Sequence, residues 1–214
     1  LLTPLQRRIL GAVAGRLPGM FLTGGTALGA FHLGHRRSDD LDLFTRDRGA
    51  FDARVKEFQV LMADERLPVT HGTAGVGFRR FVVSDGAEQL PVDLAVDTAP
   101  ALAPPLVAEN RLEVDSLDDI AANELATILG RSELRDYVDL YFLARHGVDL
   151  LALLPAAQRK DGGLDAATLA FVLSEVKVNR APEGLEEPIT REQLQAFVDD
   201  LRTRLAAAAF PGGA

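Results

Sequence analysis

Two aspartates, Asp40 and Asp42, lie in the segment 40–44, which reads Asp-Leu-Asp-Leu-Phe. Because successive side chains of a β-strand point to opposite faces, this alternation predicts a strand with both carboxylates on one face and both leucines on the other. Neighbouring carboxylates suit hard divalent cations, which prefer oxygen ligands. Since an Asp-x-Asp pair on an exposed strand is common, the rest of the sequence decides whether this pair is a site.

A glycine pair lies upstream of these aspartates. Gly24-Gly25 follows the short apolar run 20–22 and precedes residues 26–33, which predict a tightly packed helix. A glycine turn that opens a helix exposes backbone N–H groups that bind phosphate oxygens, and Thr26 adds a hydroxyl. We therefore expect a phosphate site facing the carboxylates.

A third carboxylate, Asp93, lies in the apolar run 91–96, which predicts a strand that could lie beside the strand of Asp40 and Asp42. Three converging carboxylates could hold two Mg²⁺ ions. Such a site suits phosphoryl or nucleotidyl transfer, in which metal ions neutralise charge and the protein aligns the attacking and leaving oxygens. We expect Asp40 and Asp42 to bridge the ions, and Asp93 to ligate the ion at the acceptor or to act as its general base.

The N-terminal half mixes helical and strand patterns. Apolar residues at helical spacing predict a helix over 4–17, which begins at Thr3 and Pro4, and a second helix over 51–62. Short apolar runs separated by glycine-containing turns predict further strands over 69–71, 78–83 and 90–96.

The pattern changes at Pro104-Pro105, after which we expect no strand. Alanine- and leucine-rich segments predict helices over 117–129, 133–145, 164–176 and 191–208. The sequence therefore predicts an α+β protein. Residues 1–104 form a domain with a small mixed sheet flanked by helices, and residues 105–214 form a helical bundle.

Composition narrows the possible chemistry. The absence of cysteine excludes disulfides and thiolate sites, and no apolar run approaches the roughly 20 residues that span a membrane. We expect a cytoplasmic protein that does not enter the membrane. The net charge of -8 argues against binding nucleic acid over the whole surface. Arginine pairs such as Arg36-Arg37 and Arg79-Arg80 are either local phosphate contacts or solvated surface charges.

These motifs together resemble a known group. Residues 22–28, Leu-Thr-Gly-Gly-Thr-Ala-Leu, precede residues 35–44, His-Arg-Arg-Ser-Asp-Asp-Leu-Asp-Leu-Phe, and Asp93 follows on a later strand. The pattern resembles the DNA-polymerase-β-type nucleotidyltransferase superfamily. It is similar in particular to the AbiEii/AbiGii branch, the toxin components of abortive-infection toxin–antitoxin systems. The helical half adds residues 135–143, which are like the branch's arginine-aspartate-x-x-aspartate-leucine helix.

The resemblance implies a magnesium-dependent nucleotidyltransferase whose catalytic domain is residues 1–104. It implies that a nucleoside monophosphate passes from a nucleoside triphosphate to a hydroxyl or phosphate acceptor on RNA or protein. The chain would be the toxin of a toxin–antitoxin pair, with an antitoxin protein as partner. The site residues that it implies are Gly24, Gly25 and Thr26 at the phosphates, Arg36 and Ser38 in support, Asp40, Asp42 and Asp93 at the metal ions, and Asp136 as a further catalytic carboxylate.

One position departs from the family pattern, because Glu124 stands where the family usually has a lysine. Arg131 or Arg135 could supply the missing positive charge. Alternatively, the chain is a catalytically weak nucleotide-binding protein that acts through a protein partner. A metal-dependent phosphohydrolase built on the same carboxylates is a third interpretation. For Asp136, an ion pair with Arg131 or Arg135 is the alternative to an active-site role.

Overall fold

The computed structural model describes residues 1–210. The chain divides into two compact units, Leu1–Ser116 and Leu117–Ala214. The domain boundary predicted from the sequence lies earlier, after residue 104. Residues 211–214 of the predicted helical domain lie outside the described residues.

The first unit contains a seven-stranded mixed sheet in the order β3-β4-β5-β2-β1-β7-β6. β2 runs parallel to β5 and β1 runs parallel to β7, while the other neighbours are antiparallel. The predicted α+β class with a mixed sheet is confirmed. The strands are β1 (Met20–Thr23), β2 (Leu41–Thr45), β3 (Val69–Gly75), β4 (Phe78–Ser84), β5 (Gln89–Val96), β6 (Leu106–Val107) and β7 (Glu113–Val114).

β2 lies between β1 and β5 and has the predicted alternation. Leu41, Leu43 and Thr45 are buried, whereas Asp42 and Phe44 are half-buried. β1 is buried along its whole length because it has a strand on each side. The strand of the aspartates is therefore held in the middle of the sheet.

Two short strands follow the proline pair, where the sequence predicts none. β7 pairs with β1 at Leu22 and Val114, and β6 then pairs with β7. Strands of two residues are too short to show a hydrophobic period, and they form because the backbone groups at the edge of buried β1 need hydrogen-bond partners. The sheet-containing unit consequently extends to Ser116.

Helices flank this sheet in the sequence order that the patterns predict. The first helix has a capping box, in which Thr3 Oγ1 accepts from the Gln6 backbone N–H at 3.1 Å and the Gln6 side chain accepts from the Thr3 N–H at 2.9 Å. The helices are α1 (Pro4–Val13), α2 (Gly24–Ala27), which continues as a π-helical segment (Leu28–Leu33), and α3 (Phe51–Asp64).

The second unit is helical, and its described residues contain no strand. A buried ion pair joins Lys160 Nζ to Asp119 Oδ1 at 3.7 Å. No helix among residues 1–210 combines the length and the apolar character that crossing a membrane requires. The helices are α4 (Leu117–Gly130), α5 (Leu134–Arg145), α6 (Leu154–Lys160), α7 (Ala166–Ser174) and α8 (Arg191–Ala209).

A stacked aromatic pair joins α3 to the sheet. The Phe58 ring lies 5.6 Å from the ring of Phe81 on β4, measured between centroids, and both side chains are fully buried. We predict that Phe58→Ala lowers the free energy of unfolding by about 3–5 kcal/mol, because it removes buried contacts and leaves a cavity. Val60→Ala, on the exposed face of the same helix, should change it by less than about 0.5 kcal/mol. Urea denaturation of the two variants tests this, and equal losses would contradict the packing.

Candidate active site

The strand register brings four side chains into one row across the sheet. Arg80 on β4 is opposite Asp93 on β5, Asp93 is opposite Asp42 on β2, and Asp42 is opposite Thr23 on β1. Directly opposite residues share a face of the sheet, and neighbouring strands lie about 4.8 Å apart. We call these four residues the carboxylate row. It brings together Asp42 and Asp93, which the sequence assigns to one site.

Gly24 makes room for the Asp42 carboxylate. It has a φ of +66°, and a Cβ built on it would lie 2.1 Å from Asp42 Oδ2. A side chain here would therefore be strained by its backbone and would also collide with the carboxylate. This close approach explains why the turn before α2 needs a glycine.

Gly25 and Gly29 give room to the loop before β2. A Cβ on Gly25 would lie 2.7 Å from Ser38 Oγ and 2.9 Å from Arg36 Nη2, and one on Gly29 would lie 2.3 Å from the Arg36 carbonyl oxygen. The predicted phosphate turn and two of its predicted supporting residues are therefore neighbours. Arg36 brings a positive charge to the turn, as triphosphate binding would need.

Asp40 lies directly before β2 and is held through both its side chain and its backbone. Ser38 Oγ donates to Asp40 Oδ1 at 2.8 Å, and Thr26 Oγ1 donates to the Asp40 carbonyl at 2.6 Å. Gln6 Nε2 fixes the same loop by donating to the Ser38 carbonyl at 2.8 Å. Thr26, which the sequence assigns to a phosphate, is buried and gives its hydroxyl hydrogen to Asp40.

Arg80 offsets the negative charge of Asp93 in the row. Its Nε donates to Asp93 Oδ1 at 2.7 Å and its Nη2 donates to Asp93 Oδ2 at 2.5 Å. The hydrogen bond and the charge of Asp93 raise the pKa of the Arg80 guanidinium above its ordinary value, partial burial opposes the rise, and Asp42 and Asp40 add to it. All three predicted metal ligands therefore act electrostatically on one guanidinium. From the sequence, Arg80 is recognised only as part of an arginine pair, because its role depends on a cross-strand register that sequence patterns do not reveal.

A second residue that the sequence analysis missed is Asp115, which follows β7 and is fully buried. Its Oδ2 accepts from Thr23 Oγ1 at 3.1 Å, and its Oδ1 accepts from Arg46 Nη2 at 3.2 Å. Arg46 also lies over the Phe21 ring, 4.4 Å from its centroid. His32 Nε2 lies 2.9 Å from the Asp115 carbonyl oxygen. Asp115 thus fixes the Thr23 end of the carboxylate row.

Asp136 lies in the second unit, in the first turn of α5. Its carboxylate accepts from the Glu133 backbone N–H and from Arg131 Nη2, each at 2.8 Å, and it is almost fully buried. Its hydrogen bond and charge raise the pKa of Arg131. The ion pair that the sequence leaves open is therefore formed, and Asp136 also caps its helix. Its catalytic role stays a prediction.

The donor chemistry of the row fits Mg²⁺, which prefers carboxylate oxygens. Within residues 1–210, however, no group of three or more histidine or acidic side chains is already disposed to hold a metal ion. Ser38 hydrogen-bonds Asp40, and Arg80 pairs with Asp93. The ligands that the sequence predicts therefore lie near one another, with Asp93 paired to Arg80, and do not form a preassembled metal cage.

The chain matches one family model and is similar in fold to solved structures. The model of a family described as "Nucleotidyl transferase AbiEii toxin, Type IV TA system" matches residues 8–211. The solved structure of JHP933 from Helicobacter pylori is similar, with a TM-score of 0.58 and 21% identity over 96% of this chain and 92% of that one. A second H. pylori protein, assigned as a nucleotidyltransferase, has a TM-score of 0.59 and 19% identity over 95% of this chain and 94% of its own. At such identities the likeness is one of fold. No curated protein sequence matches the chain.

The close approach of Gly24 to Asp42 is testable because Gly34 is a matched control. Both glycines have a φ of +66°, but a Cβ on Gly34 would meet nothing within 4 Å. In either alanine variant, the left-handed backbone conformation destabilises the folded state by about 1–2 kcal/mol. We predict that Gly24→Ala lowers the free energy of unfolding by about 1–3 kcal/mol more than Gly34→Ala, because it must also displace the Asp42 carboxylate. Indistinguishable urea-denaturation curves for the two variants would argue against the contact.

Proposed function

Since this chain belongs to the AbiEii nucleotidyl transferase toxin family of type IV toxin–antitoxin systems, we propose that it transfers a nucleoside monophosphate from a triphosphate to an acceptor. The acceptor is a hydroxyl or phosphate group on RNA or protein. The observation that carries this proposal is the pairing of Asp42 with Asp93 on parallel neighbouring strands, next to the Gly24 turn. Carboxylates beside a phosphate-binding turn suit nucleotidyl transfer.

In this proposal Asp40, Asp42 and Asp93 hold Mg²⁺, with two ions in the complete site. Mg²⁺ bound there would supply the positive charge that stabilises the triphosphate as its bond to the leaving pyrophosphate breaks. Asp93 lies between Arg80 and Asp42 in the carboxylate row. It would orient the acceptor hydroxyl or take its proton.

Gly24 and Gly25 would bind the triphosphate through their backbone N–H groups. The closeness of Arg36 Nη2 and Ser38 Oγ to Gly25 supports a contact between these side chains and the phosphates. Thr26 would act through Asp40, whose carbonyl it already binds, unless its hydroxyl turns to a phosphate. For Asp136 we keep the catalytic role that the family resemblance implies.

The proposed toxin role implies a partner. Membership of a type IV toxin–antitoxin family implies an antitoxin, and we propose that it is a protein. We also propose that the chain acts in the cytoplasm, where nucleoside triphosphates and RNA are available.

A second candidate function rests on Glu124. This residue is buried on α4, and its charge contributes to the raised pKa of Arg131. Because Glu124 stands where the family usually has a lysine, the chain would in this case be a catalytically weak nucleotide-binding protein that acts through its protein partner. Pyrophosphate release distinguishes the two functions, because a catalytically weak nucleotide-binding protein would bind triphosphate without releasing pyrophosphate.

Substitution of the paired aspartates tests the transfer reaction. We predict that Asp40→Asn and Asp42→Asn each lower the rate of magnesium-dependent pyrophosphate release at least about 100-fold, because a lost ligand removes several kcal/mol of charge stabilisation. Asp39→Asn is the matched control, since Asp39 is adjacent but exposed, and its rate should be close to that of the unmodified protein.

The same assay with each α-³²P-labelled triphosphate and total cell extract identifies the acceptor from the macromolecule that becomes labelled. Full activity of Asp40→Asn and Asp42→Asn would contradict the proposed reaction. Calorimetric triphosphate binding without any pyrophosphate release would favour the second candidate function.

A further inference from the structure

The ion pair between Arg80 and Asp93 is unequal in its exposure to solvent. The Arg80 side chain is 48% exposed, whereas the Asp93 side chain is 13% exposed. An exposed guanidinium can exchange its partner for water at little cost, but a buried carboxylate that loses its only strong cation pays a large desolvation penalty. The Arg80 guanidinium can therefore leave Asp93 with little loss of free energy, provided that another cation takes its place on Asp93.

The neighbouring strand presents a glycine to the Arg80 side chain, which leaves this side chain room to move. The neighbouring strand β3 has an irregular register between His71 and Ala74, and Gly72 lies in this irregular stretch. A Cβ on Gly72 would lie 3.1 Å from Arg80 Cγ and 3.2 Å from the Arg80 carbonyl oxygen. Gly72 presents no side chain over the stem of Arg80, so this stem has the Asp93 strand on one side and a glycine of β3 on the other.

Both carboxylate oxygens of Asp93 are engaged by Arg80. These are the oxygens that Asp93 would offer to a divalent cation. A guanidinium and a divalent cation on one carboxylate repel each other strongly at such short range. The cation and Arg80 therefore compete for Asp93, and a guanidinium released beside a triphosphate finds a new anion within reach.

We propose that Arg80 exchanges partners during the reaction cycle: it neutralises Asp93 before a divalent cation binds, and it contacts the triphosphate after the cation has taken Asp93. This inference rests on the proposed function, because it treats Asp93 as a metal ligand. It makes Arg80 a phosphate-binding residue as well as the counter-ion of the carboxylate row.

The exchange predicts changes in two binding affinities that a purely structural ion pair would not produce. We expect Arg80→Gln to bind Mn²⁺ alone about tenfold more tightly than the unmodified protein, because the cation no longer displaces a charged hydrogen-bond partner. We expect the same variant to bind α,β-methylene nucleoside triphosphates with Mg²⁺ about tenfold more weakly. Isothermal titration calorimetry measures both affinities without turnover, using each of the four base analogues.

Three further variants separate the exchange from general electrostatics. Arg79→Gln removes the same charge one residue away, from a side chain that donates to the carbonyls of Gly75 and Phe78, and it should change neither affinity more than about twofold. Arg80→Lys keeps the charge but loses the two-pronged contact, and it should still bind Mn²⁺ more tightly. In the Asp93→Asn background, Arg80→Gln should no longer tighten the binding of Mn²⁺. Circular dichroism establishes that each variant is folded.

The outcomes are distinct for this inference and for the function on which it rests. If Asp93→Asn weakens Mn²⁺ binding while Arg80→Gln leaves it unchanged, or if Arg79→Gln matches Arg80→Gln, the exchange is overturned and the metal site stands. Tighter Mn²⁺ binding by Arg80→Gln with undiminished triphosphate affinity would also overturn it. If neither the unmodified protein nor Arg80→Gln binds Mn²⁺, the proposed metal site fails and the exchange fails with it.

Discussion

Carboxylates held side by side repel one another, and this repulsion is the constraint around which the sheet-containing unit is arranged. Asp42 and Asp93 are opposite each other on parallel strands, and Asp40 lies just before one of these strands. A fold can keep such a cluster charged only if a cation lies beside it. Arg80 provides that charge through two hydrogen bonds to Asp93. Arg80 therefore offsets part of the negative charge of the site, and Asp93 is still available to a stronger cation.

The rest of the unit fixes the geometry of this cluster. Gly24 lets the Asp42 carboxylate approach the backbone of the turn, so that the proposed phosphate and metal sites are adjacent. Asp115, far along the chain, holds Thr23 at the other end of the row. A site whose side chains are fixed by backbone register and buried hydrogen bonds is preorganised, which is what reactions that depend on alignment and charge require. Membership of the AbiEii nucleotidyl transferase family makes nucleotidyl transfer the reaction that we propose for this geometry.

Local patterns were enough to predict the elements that carry the site, but not the contacts between them. The alternation around Asp42 predicted β2, and the structure has it, because burial on one face imposes a period of two. The helical second half was predictable because most of its helices are long and carry apolar residues at helical spacing, whereas the short α6 was not predicted. Arg80 and Asp115 escaped prediction because each acts through a partner on a strand whose register depends on the whole sheet. β7 escaped because two residues show no period.

In the proposed function, Asp42 and Asp93 hold a divalent cation next to a triphosphate. Anomalous diffraction from crystals grown with Mn²⁺ and an α,β-methylene nucleoside triphosphate can locate this cation. We expect a manganese peak within about 2.5 Å of carboxylate oxygens from both residues, with the Arg80 guanidinium turned away from Asp93. A bound triphosphate with manganese elsewhere, and with Arg80 still paired to Asp93, would contradict it.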